Sequence, residues 1–155
     1  MGLSNNEVDK MRISTKGRYS LRMLLDLAEH SESGAVALGD VAKRQEISKK
    51  YLEQIIPIFN NSGILRANRG SQGGYMLAKP ASQITVGDVL RLTEGTLAPV
   101  DCAAEDPAEC ARSADCYTLP VWQGLYRLIS DYLDGITLQT LLDQKKERDG
   151  YDYVI

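Results

Sequence analysis

"LGDVAKRQEISKKYLEQIIPIFNNSG", residues 38–63, decides the fold of this chain. The first part of this stretch predicts a short helix over Leu38–Gln45. The second part predicts a longer helix that begins after Ser48, a natural N-cap. A tight turn at Glu46 and Ile47 separates the two. Two helices joined by such a turn are typical of a helix-turn-helix.

The residues that follow predict a β-hairpin. Residues 64–70, ILRANRG, and 74–79, GYMLAK, are short strand-like runs on either side of a glycine-rich turn. Gly63 should stop the preceding helix, and Pro57 should bend it or end it early, because proline lacks a backbone donor. A helix-turn-helix followed by a hairpin is the arrangement of a winged helix.

Four more helical segments surround this unit. Apolar side chains at helical spacing predict a first helix over residues 15–30. Residues 84–95, ITVGDVLRLTEG, predict a capped helix. Residues 119–134 predict a long amphipathic helix, and a shorter helix is expected from Thr137.

The long helix has an apolar stripe that is wider than one small winged helix can cover. An apolar stripe is most often intramolecular core, but the width of this one favours a dimer interface and therefore a homodimer. Its members are Val121, Trp122, Leu125, Leu128, Ile129, Tyr132 and Leu133.

The predicted fold class is mainly α with a small β-hairpin wing, a winged helix-turn-helix plus a long dimerisation helix. We expect the chain to divide into a flexible leader, a winged helix-turn-helix domain, a connecting helix, a cysteine-containing loop, the dimerisation and C-terminal helices, and a tail. Their expected bounds are 1–10, 11–80, 81–94, 95–118, 119–145 and 146–155.

Composition indicates a water-soluble protein of the reducing cytoplasm. The 155 residues are 43 % hydrophobic and 25 % charged, and no apolar run is long enough to span a membrane. The first ten residues lack the apolar core of a signal peptide. Three cysteines in a reducing compartment favour thiols or metal ligation over disulfides.

Charge is distributed unevenly along the chain. Residues 10–80 carry a net charge of +6 and the remainder −9, within a total of −3. The basic part contains the longer helix of the helix-turn-helix, whose apolar positions should face the core. Its early polar positions, which in such proteins meet base edges, are Ser48, Lys49, Lys50, Tyr51 and Gln54.

Arginines of the hairpin strengthen the case for DNA. Arg66 and Arg69 flank the glycine-rich turn, and arginine commonly reads the minor groove. Arg12, Lys16 and Arg18 near the first helix are either phosphate clamps or ordinary surface charges. Each element alone is typical of a solvated surface, but the three together favour a DNA-binding protein.

Several stretches, in their order and spacing, resemble the IscR/NsrR/CymR family of bacterial repressors across residues 11–142. The stretches are MRISTKGRYSLRMLLDLA, ISKKYLEQII, NRGSQGGYML, ITVGDVLRLTEG and ITLQTLL. The resemblance implies a homodimeric winged-helix repressor on a near-palindromic double-stranded operator. It places the family's DNA-reading residues at Ser48, Tyr51, Gln54 and Arg69.

The resemblance also gives the cysteines a role. Cys102, Cys110 and Cys116 lie in one acidic loop, where many family members hold an iron–sulfur cluster between three cysteines. A [2Fe-2S] or [4Fe-4S] cluster is therefore implied, and it would report iron, oxygen or nitric oxide. Ordinary thiols are the simpler alternative, and zinc is disfavoured because no Cys-x-x-Cys pair is present.

The fourth cluster ligand is not identified by the sequence. Where two-iron members place a histidine, this chain has Leu119, and where another branch uses an aspartate it has Arg18. The only histidine, His30, is expected to pack or cap a helix. Water, a small thiol or a loop carboxylate are the remaining donors, the last being Asp101, Glu105, Asp106, Glu109 or Asp115.

The end of the chain predicts a docking tail. Tyr153, Val154 and Ile155 resemble the tail of the cysteine-metabolism branch, whose repressor associates with O-acetylserine thiol-lyase. A terminal isoleucine fits capture by an apolar pocket and backbone N–H groups. Two other readings stay open: a repressor without a cluster, controlled by thiol state or a partner, and a cluster-trafficking protein that binds no DNA. The sequence shows no nucleophile–base pair, so an enzyme is not expected.

Overall fold

The computed structural model describes residues 12–103 and 114–151. It is mainly helical with one two-stranded antiparallel hairpin, which confirms the predicted fold class. The helices and strands, in chain order, are α1 Thr15–His30, α2 Leu38–Gln45, α3 Lys49–Asn61, β1 Leu65–Asn68, β2 Gly74–Leu77, α4 Val86–Glu94, α5 Leu119–Asp134 and α6 Leu138–Tyr151.

The turn between α2 and α3 sets the geometry of the helix-turn-helix. Glu46 adopts a left-handed conformation with φ 55°, the one positive φ among the described residues that are not glycine. This conformation costs a β-carbon-bearing residue about 1 kcal/mol, so contacts around the turn must hold it. The Ser48 hydroxyl then caps α3 by accepting a hydrogen bond from the Tyr51 amide at 3.1 Å.

Pro57 does not end α3 early. The helix continues through it to Asn61, so that part of the prediction is wrong. The proline removes the amide that would bond the carbonyl of Glu53, but both residues are exposed and water can satisfy that carbonyl. Leu52, Ile55 and Phe59 are at most 1 % exposed, and their burial holds the helix on both sides of the proline.

The wing is a tight hairpin that is anchored to the chain ahead of α2. Strands β1 and β2 pair in antiparallel register, with Leu65 opposite Leu77 and Asn68 opposite Gly74. Val36 forms an isolated antiparallel bridge with β2. Its amide donates to the Tyr75 carbonyl at 2.9 Å, and its carbonyl accepts from the Tyr75 amide at 2.8 Å. The wing is therefore fixed relative to the helix-turn-helix.

The main core joins α1 and the helix-turn-helix to the later helices. Burial of each such side chain stabilises the fold by about 2 kcal/mol. Its fully buried members include Met23, Leu24 and Leu27 of α1, Leu52 and Phe59 of α3, Val89 of α4 and Leu138 of α6.

Helix α5 packs on α4 with only one of its faces. Tyr126, Ile129 and Leu133 lie against a smaller core of Val86, Leu90 and Leu97. A separate apolar face is left exposed on the single chain, and it consists of Val121, Leu128 and Tyr132 at 58 %, 70 % and 70 % exposure. The predicted stripe thus divides into an inward face and an outward face.

A bidentate ion pair fixes the far end of α5. The Arg91 guanidinium donates to the two Asp134 oxygens at 2.7 and 2.8 Å. These hydrogen bonds lower the pKa of the Asp134 carboxyl below its usual value, although burial opposes them. The side chains of Arg91 and Asp134 are 35 % and 43 % exposed, so the pair contributes less than about 1 kcal/mol to stability.

Helix α6 is longer than the sequence predicts. A shorter helix was expected from Thr137, with a tail from residue 146, whereas α6 runs from Leu138 to Tyr151. Its start pairs with the start of α4, since the Leu138 amide donates to the Ile84 carbonyl at 2.9 Å. None of the described helices has the length and apolar character needed to cross a membrane.

Candidate nucleic-acid interface

The first turns of α3 present the polar side chains that were predicted to read DNA. Ser48, Lys49, Lys50 and Gln54 are exposed, and Tyr51 is half-buried. The Lys49 ammonium lies 4.0 Å from the Glu53 carboxylate, and a surface pair at that distance is weak. Ammonium, hydroxyl and amide groups of this kind can donate to phosphates and pair with base edges.

Tyr51 is held by residues of α1 that the sequence analysis missed. Its ring meets the ring of Tyr19 edge to face, with centroids 5.5 Å apart and planes at 79°. The Arg22 guanidinium lies 5.3 Å from the centroid of the Tyr19 ring, within range of a cation–π interaction. Tyr19 fits the helical spacing of apolar residues along the first helix, but no local signal connects it to Tyr51.

A buried carboxylate joins α1 to the end of α2. The Asp26 side chain is 1 % exposed. It accepts hydrogen bonds from Arg44 at 2.8 and 3.1 Å and from the Gln45 amide group at 2.9 Å. Burial raises the pKa of Asp26, but the hydrogen bonds from Arg44 and Gln45 and the charge of Arg44 outweigh it, so the net pKa is lowered. The carboxylate is therefore charged at neutral pH.

The wing carries its two arginines on exposed positions. Arg66 lies on β1 opposite Met76, and Arg69 follows the end of that strand. The turn that comes next is closed by a hydrogen bond from the Gly73 amide to the Gly70 carbonyl at 2.9 Å. Gly70 has φ 119°, a conformation that side chains with a β-carbon rarely adopt.

The start of α1 is tied to the end of α4. The Ser14 hydroxyl accepts from the Gly17 amide at 3.0 Å and donates to the Glu94 carboxylate at 2.6 Å. This cap places Arg12, Lys16 and Arg18 on the exposed surface around the helix start. Exposed cations can contact phosphates, and that role stays a prediction for these three residues.

Two of the three predicted cluster ligands are described. Cys102 lies in a 3-10 turn over Asp101–Ala103 that contacts α5, and Cys116 lies three residues before α5. Both are half-buried, and the Cys116 sulfur is 3.4 Å from the Thr118 hydroxyl. Cys110 lies outside the described residues. Within residues 12–103 and 114–151, no three His, Cys, Asp or Glu side chains form a metal-binding group.

At the two positions where the resembled family places a fourth ligand, this chain has Leu119 and Arg18, neither of which can ligate iron. Leu119 is buried at the start of α5, and Arg18 is exposed, with its guanidinium 3.1 Å from the Thr15 hydroxyl. His30 lies at the end of α1 with Nδ1 2.9 Å from the Asp26 carbonyl oxygen. Cysteine thiolates are ligands that suit iron–sulfur clusters.

Comparison with known proteins now identifies the kind of protein. The model of the Rrf2 family, described as an iron-dependent transcriptional regulator, matches residues 13–144. The chain belongs to the Rrf2 family. It is 37 % identical to the regulator IscR of Pectobacterium carotovorum over 142 residues, 92 % of this chain and 85 % of that protein.

Solved Rrf2-type structures share the fold as well. IscR of T. potens is 34 % identical, with a TM-score of 0.71 over 88 % of this chain and 90 % of that one. CymR, the global cysteine regulator of B. subtilis, is 34 % identical, with a TM-score of 0.70 over 86 % and 97 %. These proteins are transcriptional regulators and not enzymes, so this Rrf2 chain is a DNA-binding transcriptional regulator.

The predicted docking tail is not described by the structure. Tyr153, Val154 and Ile155 lie outside the described residues, and association with O-acetylserine thiol-lyase stays a prediction. The assignment of this chain to a family of regulators does not favour the cluster-trafficking alternative.

Proposed function

We propose that this Rrf2 protein is a cytoplasmic, homodimeric repressor that binds a near-palindromic operator and senses a signal through its cysteine loop. The observation that supports DNA reading is the exposed polar start of α3, held beside an arginine-bearing wing that is anchored at Val36. A recognition helix and a wing that are fixed relative to one another can enter adjacent grooves of the same duplex.

Arg69→Ala should separate groove reading from phosphate contact. If Arg69 reads a groove, its loss weakens binding to a selected operator by about tenfold, or 1–2 kcal/mol, and weakens binding to a shuffled duplex much less. Lys16→Ala should weaken both duplexes alike and lower the salt dependence by about one phosphate contact. Fluorescence anisotropy at several salt concentrations measures both effects. Equal losses for both variants on both duplexes would reject a wing that reads sequence.

The cluster proposal concerns the loop between α4 and α5. Cys102, Cys110 and Cys116 would hold an iron–sulfur cluster as thiolates, which is the donor set that iron–sulfur clusters use. When bound, the cluster would supply redox and iron sensing. The chain's own contribution is to carry Cys102 on a turn against α5 and Cys116 just before that helix.

Cys102→Ala should remove the chromophore but not the fold. Protein purified without oxygen is expected to absorb visible light and to contain iron and sulfide, and the variant should lose all three. Because α5 and α6 pack on α4 without Cys102, the circular dichroism and oligomeric state should not change. Asp101→Ala and Asp115→Ala in the same assay test two candidate fourth ligands. A colourless, iron-free wild type would sink the cluster proposal.

A repressor without a cluster is the second candidate. The observation that favours it concerns the two positions where the resembled family places a fourth ligand. This chain has Leu119 at one of them, which is buried, and Arg18 at the other, which is exposed. Such a protein would respond to thiol oxidation or to a partner bound at its tail. The iron and sulfide analysis above distinguishes the two candidates.

A further inference from the structure

The contacts of Asp26 extend in an unbroken series to the predicted recognition helix. Asp26 holds the side chains of Arg44 and Gln45, the last two residues of α2. Gln45 in turn is held by Arg22, whose guanidinium donates to its backbone carbonyl and, at 3.3 Å, to its side-chain oxygen. The strained turn at Glu46 follows directly, and α3 begins three residues later.

We infer that Asp26 is a positioning residue for DNA recognition: with Arg22, it fixes the turn of the helix-turn-helix and so the direction in which α3 presents its side chains. This inference rests on the proposed role of α3 as the DNA-reading helix. Asp26 itself does not touch DNA in this proposal, because its side chain is 1 % exposed.

The physical argument starts from what the turn requires. A left-handed Glu46 is unfavourable by itself, so the end of α2 must be held for the turn to persist. A buried charge that is fully hydrogen-bonded has few alternative arrangements, and such groups are best attested in fixing one geometry. Asp26 is this kind of group, and its partners are the residues that immediately precede the turn.

Arg22 extends the same control to a DNA-reading side chain. Its planar guanidinium bonds Gln45 and also lies over the Tyr19 ring, which packs edge to face on Tyr51 of α3. A lysine ammonium keeps the charge but cannot make the planar fork or stack in the same way. Charge and geometry can therefore be separated at this position.

The sign of the effect distinguishes positioning from electrostatics. Asp26→Asn removes one negative charge, which by itself should strengthen binding to any DNA. Loss of the fixed turn should weaken binding to the specific sequence. Asp134→Asn is a matched control, because it removes the same charge from another interhelix pair with arginine, distant in sequence from the helix-turn-helix.

The experiment compares two duplexes of equal length, one enriched from a random-sequence pool by the wild-type protein and one with the same bases shuffled. Affinities are corrected for the folded fraction measured by circular dichroism. The Asp26→Asn variant should bind the enriched duplex about tenfold or more weakly than the wild type, a loss comparable to that of one base contact. Its affinity for the shuffled duplex should not fall. Asp134→Asn should bind both duplexes as tightly as the wild type, or slightly more tightly.

Arg22→Lys keeps the inference testable if Asp26→Asn does not fold, since Arg22 is exposed. It should lose affinity for the enriched duplex only, whereas its control Arg91→Lys should not. The positioning role would be overturned if Asp26→Asn and Asp134→Asn bound the enriched duplex equally tightly, or if Arg22→Lys bound it as tightly as the wild type. The proposal that the protein binds DNA would still stand. If the wild type enriches no duplex, the proposed function fails, and this inference fails with it.

Discussion

Gly74→Ala is expected to destabilise the wing and with it the whole DNA-binding surface. A β-carbon at position 74 would overlap the backbone carbonyl of Val36 and crowd the Ala37 nitrogen. Gly74 has no positive φ, so close approach of two backbones is the reason for glycine here. The strand must then move away, and the two hydrogen bonds between Val36 and Tyr75 are lost. Overlap and lost hydrogen bonds together should cost about 3 kcal/mol.

Urea unfolding and operator binding measure the effect of this substitution. Displacement of β2 also moves Arg66 and Arg69, so operator affinity should fall at least about tenfold even where the protein is folded. Gly39→Ala is the control, because a β-carbon there meets no atom within 4 Å and alanine suits a helix better than glycine. Unchanged stability and affinity in Gly74→Ala would show that the wing does not approach Val36 this closely.

Local signals in the sequence account for most of the fold. The bounds of α1, α2 and α5 agree with those predicted, because caps and apolar spacing act within a few residues. Pro57 was misjudged because tertiary burial of its neighbours outweighs one missing hydrogen bond. The far end of α6 was missed because its polar residues carry no apolar period, although Lys145 reaches Glu29 of α1 at 3.4 Å.

The candidate site was only partly predictable. Side chains at the start of α3 follow from the motif, but the residues that hold them in place depend on long-range contacts. Asp26 pairs with Arg44 across 18 positions of sequence, and nothing local indicates that a carboxylate among leucines is satisfied by that guanidinium. The sequence likewise gives one broad stripe on α5, whereas the structure separates an inward face from an outward one.

The proposed dimer can be tested most directly at the outward face of α5, where a substitution should have a large effect. Val121, Leu128 and Tyr132 recur at intervals of seven and four residues, so they lie on one side of a helix with about 3.6 residues per turn. All three are more than half exposed on the single chain. Burial of such a face against a second copy would remove it from water and supply most of the interface.

Leu128→Glu should therefore produce a folded monomer that no longer binds the operator tightly. Leu128 is 70 % exposed, so the substitution should cost the isolated chain less than about 0.5 kcal/mol. At a dimer interface the same carboxylate would be buried without a partner, which costs several kcal/mol. A monomer contacts only one half-site of the operator at a time. Operator affinity should then fall at least about 100-fold, because the two DNA-binding domains no longer bind as one unit.

Sedimentation and anisotropy test this prediction together. Gln123→Glu is the control: it adds the same charge to the same helix but, five residues before Leu128, lies on a different side. It should remain dimeric and bind the operator like the wild type. If Leu128→Glu also sediments as a dimer and keeps its affinity, the outward face of α5 is not the interface. If it is monomeric yet binds as tightly as before, operator recognition does not need two copies, and the palindromic-operator proposal is wrong even though α3 and the wing read DNA.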